Sequence, residues 1–184
     1  MKRNKITVEK INVGPLLTHG VRPFTFNAGG RIILTVTRTL MDGTTLRGYL
    51  SIHLYPGYKT DGASVPRPFS YLVPRWRPGD DEYNAAPTAH DVLYMLRGRV
   101  PVIDSEEVIN LSREEVDDIL RGIWRCWGMS RFLAGAADKA VEIFAGGKGH
   151  WGCDSYGVRD LVNVYWHPMA EEARWTWLNM PSAL

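Results

Sequence analysis

The chain has 184 residues, of which 45% are hydrophobic and 23% charged, so its composition is that of a globular protein and excludes a largely disordered one. Its length fits one domain, with or without an appended tail. The formal net charge of +2 is too small to indicate nucleic acid as a partner. No apolar run approaches the ~18 residues that cross a membrane, and the N-terminus lacks the apolar core of a secretory signal. We therefore expect a protein that is made in a cytoplasm.

The N-terminal third of the chain has the pattern of β-strands. Runs rich in β-branched residues, or alternating between polar and apolar residues, predict strands over 6–13, 31–40 and 44–55. Asp42-Gly43 lies between the last two runs, and an Asp-Gly pair in that position is a strong signal for a β-hairpin. The five prolines of 56–79 then predict a long loop, which is often functional in a compact domain.

Helical periodicity follows, with a predicted loop over 98–111 between the first two helices. The helices are expected over 85–97 with Asn84 as N-cap, over 113–127 behind a capping box of Ser112 and Glu115, and from Ser130 to Phe144. Strands thus come first and helices afterwards. This order predicts an α+β fold, in which an N-terminal antiparallel β-hairpin or sheet is followed by three helices that pack on one side of it.

The last fifth of the chain is rich in tryptophan, with four of the seven tryptophans beyond residue 147. We expect an α+β domain over 1–147 and an aromatic C-terminal extension over 148–184, which packs on the domain or on a partner. The extension is predicted to contain a strand over 158–165 and a helix over 168–180. Trp166, Trp175 and Trp177 are residue types that anchor interfaces.

His90 and Asp91 are adjacent on the first predicted helix, with His90 at the edge of its apolar stripe and Asp91 on a different side. An imidazole can act as a general base near neutral pH, and a carboxylate can hold a cation or orient a neighbouring group. Tyr94 lies one turn further along. The alternative is that His90 and Asp91 are surface or capping residues that hydrogen-bond nearby loops.

Two aspartates of the second helix have different predicted surroundings. Asp118 shares the charged face and is expected in solvent, whereas Asp117 lies at the margin of the apolar face, where a carboxylate needs a partner. Arg113, one turn earlier, is one candidate partner of Asp117, and the helix that carries His90 is the other.

Three further residues have chemistry that the sequence leaves open. Asp61 begins an Asp-Gly turn, where its carboxylate could bind a cation or cap the turn through its own backbone. Cys126 is expected as a reduced thiol on the buried side of the second helix. Cys153 and His150 have the spacing of metal ligands, but a structural zinc site needs four ligands.

Three motifs in chain order carry a family resemblance. They are T-D-G-A-S-V-P over 60–66, Y-x-A-A-x-x-x-H-D-x-L-Y over 83–94 and R-x-x-x-D over 113–117. In this combination the chain resembles a small domain family of unknown function from tailed bacteriophages and prophages, over residues 55–147. The resemblance implies a phage origin and the convergence of Asp61, His90, Asp91 and Asp117, but it supplies no activity.

The segment H-D-x-x-Y over 90–94, followed by an aspartate on the next helix, also resembles the catalytic helix of phospholipases A2, especially the viral kind. This likeness implies that His90 is the base for a water molecule, that Asp91 is a calcium ligand, and that Asp117 orients His90 with support from Tyr94. The chain lacks the cysteines that flank this motif in the secreted enzymes, and it has no glycine-rich calcium loop just upstream.

Two functions therefore compete. The first is a bacteriophage virion or assembly-associated protein, made in the host cytoplasm, whose His-Asp-Asp cluster is a buried polar site. It would bind other phage proteins through Arg113, Trp166, Trp175 and Trp177.

The second function is a hydrolase of a lipid, cell-wall or phosphodiester bond. It would use His90 as a general base, with Asp117 and Tyr94 beside it. Asp91 and Asp61 would be the ligands of a divalent cation such as calcium.

Overall fold

The computed structural model describes residues 3–20, 22–63, 73–137 and 151–169, and these form a mixed α+β structure. The strands are β1 (Lys5–Val13), β2 (Thr18–His19), β3 (Phe24–Phe26), β4 (Gly30–Thr39), β5 (Thr45–Leu54), β6 (Lys59–Thr60), β7 (Arg99–Pro101), β8 (Val108–Asn110) and β9 (Val162–Pro168). The helices are α1 (Asp81–Met95), α2 (Arg113–Cys126) and α3, of which residues 131–137 are described. The predicted α+β class, with strands first and three helices after them, is confirmed.

The main sheet is antiparallel and has the strand order β1-β4-β5-β9. Its centre is the predicted hairpin of β4 and β5, whose turn is closed by hydrogen bonds from Leu40 N to Thr44 O (2.8 Å) and from Gly43 N to Leu40 O (3.0 Å). Gly43 has a φ of +92°, which explains why a glycine occupies this position. Two smaller antiparallel sheets, β2-β3-β6 and β7-β8, complete the strand pairing described.

One face of the main sheet carries the core. Side chains alternate along β4 and β5, so that every second residue is fully buried: Ile32, Leu34, Val36, Leu50 and Ile52. Helix α2 lies against β1, and α1 packs on α2. Gly122 allows α2 to lie close to β1, because a Cβ atom at this position would overlap with the side chain of Val8.

Helix α1 begins four residues earlier than the sequence indicated. Asp80 is its N-cap and accepts a hydrogen bond from Tyr83 N (3.1 Å). The predicted cap, Asn84, is instead buried inside the helix, where its side chain bonds both backbone groups of Arg77 (2.8 and 2.7 Å). Asparagine bonds backbone groups in both roles, those of the helix as a cap and those of the preceding loop here, and the sequence pattern does not separate the two.

The segment 98–111, predicted as a loop, contains the hairpin of β7 and β8. Its ends are joined to each other by a hydrogen bond from Leu111 N to Gly98 O (2.9 Å), and its turn is tied to β9 by one from Ile103 N to Trp166 O (2.9 Å). The strands have only three residues each, too few for the alternation that identifies a strand. Within the predicted loop 56–79, β6 pairs with β3, while residues 64–72 lie outside the described part.

Gly98 is expected to be a sensitive backbone position. It follows α1 with a φ of +66°, donates to Leu93 O (2.8 Å), and leaves no room for a Cβ atom, which would overlap with the carbonyl oxygen of Leu111. Gly98→Ala should lower the free energy of unfolding by about 2 kcal/mol or more, of which the left-handed backbone accounts for about 1 kcal/mol. Chemical denaturation measures this loss.

Gly157 is the matched control for Gly98. Its φ of +64° is nearly the same, but among the described residues nothing lies close to its built Cβ position. Gly157→Ala should therefore show the backbone cost alone. Equal losses of stability in the two variants would mean that the β7–β8 hairpin accommodates the added methyl group without further destabilisation.

Two predictions about α2 are wrong. Asp118 is buried rather than solvated, with salt bridges to Arg3 (2.8 Å) and Arg121 and a hydrogen bond from Ile6 N (3.2 Å). The cause is β1, which covers a helix face that looks solvent-exposed in the helix alone. Cys126 is exposed rather than buried, and neither it nor Cys153 forms a disulfide.

The C-terminal extension contributes a strand to the main sheet. β9 pairs with β5, with Trp166 opposite Leu50, and starts later than the predicted strand over 158–165. Trp166 is 3% exposed and belongs to the core. The prediction that its side chain is part of a partner surface therefore does not fit the structure. Trp175, Trp177 and most of the predicted helix over 168–180 lie outside the described residues. In the described part of the chain, no helix has the length and apolar character needed to cross a membrane.

Candidate functional site

A cavity of about 370 Å³ lies beside α1 and is lined by residues from several parts of the chain. Helix α1 contributes His90, Asp91 and Tyr94; the segment around β6 contributes Asp61; and a loop over 153–156 forms another wall. Three of the four residues predicted to converge, Asp61, His90 and Asp91, therefore line one space.

The fourth, Asp117, lies behind His90 rather than in the cavity lining. His90 Nε2 is 3.0 Å from Asp117 Oδ1, and the Tyr94 hydroxyl donates to the same oxygen at 2.8 Å. His90 and Tyr94 are four residues apart on α1, so both project from one face toward α2. Asp117 thus finds its partner on the helix of His90, which was one of the two alternatives open from the sequence.

Arg113 contacts Tyr94. Its guanidinium carbon is 5.5 Å from the centre of the Tyr94 ring, and its Nε is 3.5 Å from the hydroxyl oxygen. No salt bridge joins it to Asp117 among the described residues. Arg113 therefore adds positive charge near the Tyr94–Asp117 hydrogen bond, and its placement gives no evidence for the predicted partner surface.

Asp91 is held by the segment around β6. The Thr60 hydroxyl donates to Asp91 Oδ2, and it also accepts a hydrogen bond from Gly62 N at 3.0 Å. This leaves Asp91 Oδ1 3.9 Å from His90 Nδ1, too far for a direct hydrogen bond. His90 thus has a carboxylate on each side, Asp117 in contact with Nε2 and Asp91 near Nδ1.

These carboxylates determine the charge state of the imidazole. Burial by itself lowers the pKa of His90, but the hydrogen bond to Asp117 and the charge of Asp91 outweigh burial, so that the pKa lies above its ordinary value of 6.5. Burial likewise opposes ionisation of Asp117, yet His90 and Tyr94 hold the pKa of that carboxyl below 3.8. Burial, together with the charge of Asp61, raises the pKa of Asp91.

The two predicted metal ligands already have partners. Arg22 donates to Asp61 at 2.9 Å, and Thr60 donates to Asp91. Within the described ranges, no three His, Cys, Asp or Glu side chains are arranged to hold a metal ion. Two carboxylates with a cation and a hydroxyl as neighbours do not complete a calcium site, which needs six or more oxygens. We therefore derive no chemical step through a metal.

Two residues of the site were missed at the level of sequence. Thr60 is the first residue of the T-D-G-A-S-V-P motif, but a threonine gives no signal for a contact with a helix thirty residues away. Asp154 accepts hydrogen bonds from the backbone of Val158 and Arg159 (both 2.9 Å) and thereby shapes the loop over 153–156. An aspartate in a loop often bonds nearby backbone N–H groups, so Asp154 was a usable signal.

The fold and the site together define a class: α+β proteins in which a histidine on one helix is paired with an aspartate on the next, beside a cavity. Comparison with known families identifies the family of the chain. It belongs to a family described as Protein of unknown function (DUF1353), whose model matches residues 42–141. This range starts earlier and ends earlier than the predicted 55–147, and it contains Asp61, His90, Asp91 and Asp117. No curated protein and no solved structure matches the chain.

Proposed function

We propose that the protein is a general-base hydrolase, in which the Asp117–His90 pair activates a water molecule for attack on an ester bond. One observation carries this proposal. Asp117 Oδ1 lies 3.0 Å from Nε2 of His90, whereas Nδ1 of His90 lies near Asp91, and both His90 and Asp91 line the cavity.

The hydrogen bond to Asp117 selects the tautomer of His90. A carboxylate accepts a hydrogen, so Nε2 carries it, and in the neutral ring Nδ1 has the lone pair that takes up a proton. The Tyr94 hydroxyl holds Asp117 in place at 2.8 Å. His90 is only 6% exposed, so the imidazole has little freedom to turn away from this arrangement.

The reaction proceeds by two proton transfers at Nδ1. As the water oxygen bonds to the ester carbonyl carbon, its proton passes to Nδ1, and Asp117 stabilises the imidazolium. When the carbon–oxygen bond to the alcohol breaks, Nδ1 returns the proton to the leaving alkoxide, which gives an acid and an alcohol. Lys59 also lines the cavity, and its positive charge favours a negatively charged intermediate, whereas Arg22 in the same lining is already paired with Asp61.

Water is favoured over a side chain as the nucleophile. Cys153 and Ser155 line the same cavity, but the hydrogen bond described for them is the one between their own side chains, at 3.6 Å. A serine or cysteine nucleophile is normally hydrogen-bonded to its base. Among the substrate classes open from the sequence, a carboxylic ester such as a lipid ester best suits a single histidine base, since phosphodiester hydrolysis commonly relies on bound metal ions.

The pH dependence of ester hydrolysis tests this function. Purified protein is assayed with p-nitrophenyl butyrate and with phosphatidylcholine vesicles, with and without calcium. We expect kcat/KM to rise with pH, because His90 must be unprotonated to accept the proton, and to reach half its maximum above pH 6.5, because the pKa of His90 is raised.

Hydrolysis of neither ester, or a rate that falls as pH rises through this range, would contradict the proposal. A rate that requires calcium would assign Asp91 and Asp61 the role predicted from the sequence and would correct the metal-free mechanism above.

A role in a bacteriophage virion or its assembly stays a prediction from the sequence. Of the aromatic residues on which it rests, Trp166 lies in the core, and Trp175 and Trp177 are outside the described residues.

A further inference from the structure

A second cavity, of about 550 Å³, lies between the C-terminal end of α1, the β7–β8 hairpin and β9. Among the described residues, it shares only Met95 with the lining of the cavity at His90. Its charged lining consists of three arginines, Arg97, Arg99 and Arg159, and no carboxylate is found among the described residues that line it. Asp154, which accepts a hydrogen bond from Arg159 N, lies outside this lining. We propose that this cavity binds a small soluble organic anion, with a phosphate or carboxylate group on an apolar body.

Charge is the first argument for an anion. Three guanidinium groups around one cavity repel one another, and none of them forms a salt bridge with a described carboxylate. A bound anion removes this repulsion and can accept the forked pairs of hydrogen bonds that arginine offers to phosphate and carboxylate groups.

The backbone of Arg97 is the second argument. Arg97 has a φ of +54° and stands immediately after the C-cap of α1, where a glycine or asparagine is normally found. An arginine in this conformation costs about 1 kcal/mol relative to glycine. The chain nevertheless places a long cationic side chain here and keeps room for it, because a Cβ atom on Gly152 would overlap with the Arg97 side chain.

Arg159 is held in a defined orientation. One of its terminal nitrogens, Nη2, donates to Met95 O (3.0 Å) and to Gly152 O (3.1 Å), so this arginine joins the end of α1 to the loop that follows residue 151. An arginine that is already ordered loses less conformational freedom when it binds a ligand.

The other residues of the lining are the reason to expect an apolar part in the ligand. Leu96, Pro101, Val108 and Val164 line the same cavity, and Tyr165 adds an aromatic ring. An anion with a hydrocarbon or aromatic part would cover these side chains while its charged group meets the arginines, which inorganic phosphate cannot do.

Calorimetric titration with phenyl phosphate, inorganic phosphate and benzyl alcohol tests the proposal. We expect phenyl phosphate to bind most tightly, phosphate more weakly, and neutral benzyl alcohol not measurably. Arg97→Gly should weaken phenyl phosphate binding about tenfold or more, because a hydrogen bond between two charged groups is lost. This variant should keep its fold, because a φ of +54° favours glycine.

Arg125→Gln is the control, since Arg125 is exposed on α2 and outside the cavity lining. Arg99→Gln, within the lining, should weaken binding as Arg97→Gly does. The proposal is overturned if phenyl phosphate does not bind the wild type, if benzyl alcohol binds equally well, or if Arg97→Gly and Arg125→Gln have the same affinity. Association with phosphatidic acid vesicles but not with phenyl phosphate would assign the arginines to a lipid surface, against a soluble ligand.

Discussion

His90→Gln is expected to lower kcat/KM for ester hydrolysis by about 10²- to 10⁴-fold, the range that a positioned general base contributes. Glutamine is similar in size to histidine and can still donate to Asp117, but its amide does not take up a proton near neutral pH. The variant should therefore keep its fold and lose the chemistry. Steady-state kinetics on p-nitrophenyl butyrate, with thermal melting of the same preparations, measures both properties.

His53→Gln separates this effect from the general loss of a histidine. His53 lies on β5, on the sheet face opposite the buried Ile52 and Leu54, and outside the lining of the cavity at His90. It should keep the wild-type rate within about a factor of two. If His90→Gln stays folded and retains the wild-type rate, the base is another residue and the proposed mechanism fails.

Glu115→Ala should produce the largest loss of stability, about 3–5 kcal/mol, because removing one partner of a buried ion pair leaves the other charge without compensation. Glu115 is fully buried and binds Arg38 at 2.7 and 3.3 Å, and it also accepts a hydrogen bond from Ser112 N at 2.8 Å. Arg38 is 9% exposed and would keep only Asn110 O as a described partner. Urea denaturation gives the change in unfolding free energy.

Two further variants test whether this loss of stability comes from the unpaired charge of Arg38. Glu114→Ala changes the exposed neighbour of Glu115 in the same turn of α2, so it should alter stability by less than about 0.5 kcal/mol. The double variant Arg38→Met/Glu115→Leu removes both charges and should regain most of the stability, since apolar pairs often replace buried ion pairs without loss. A double variant as unstable as Glu115→Ala would show that the loss comes from the unpaired backbone partners, Ser112 N of Glu115 and Asn110 O of Arg38, rather than from an unpaired charge.

Local patterns predicted the elements where a residue acts within its own segment. The Asp42-Gly43 hairpin and the Ser112–Glu115 capping box both formed as expected, because a turn and a helix cap are satisfied by neighbours two or three residues away. Asn84 failed as a cap because its side chain bonds the backbone of Arg77, outside the helix, while Asp80 caps the helix four residues earlier. The β7–β8 hairpin was missed because its strands are too short to show a period.

Part of the site was likewise predicted from residues that are close together in the chain. Tyr94 and His90 share a face of α1 by helical spacing alone, and the position of Asp117 at a core margin required a polar partner. Which partner it takes depends on how α1 packs on α2, and the sequence left both Arg113 and the helix of His90 open. The contact of Thr60 with Asp91 depends on how β6 approaches α1. The family resemblance implied that Asp61 converges with Asp91, but nothing in the sequence indicated that Thr60 makes the contact.

The sequence by itself determined the order of strands and helices, the α+β class and the segment that carries His90 and Asp91, since these follow from short-range periodicity and backbone preference. Only the tertiary structure decided which charges are buried and which side chains meet. Asp118 is covered by β1, Trp166 is buried in the core through the pairing of β9, and Arg159 lines one cavity with Arg97 and Arg99 from a distant part of the chain. Burial and charge pairing depend on neighbours that are distant in the chain, and a pattern read along one segment does not contain them.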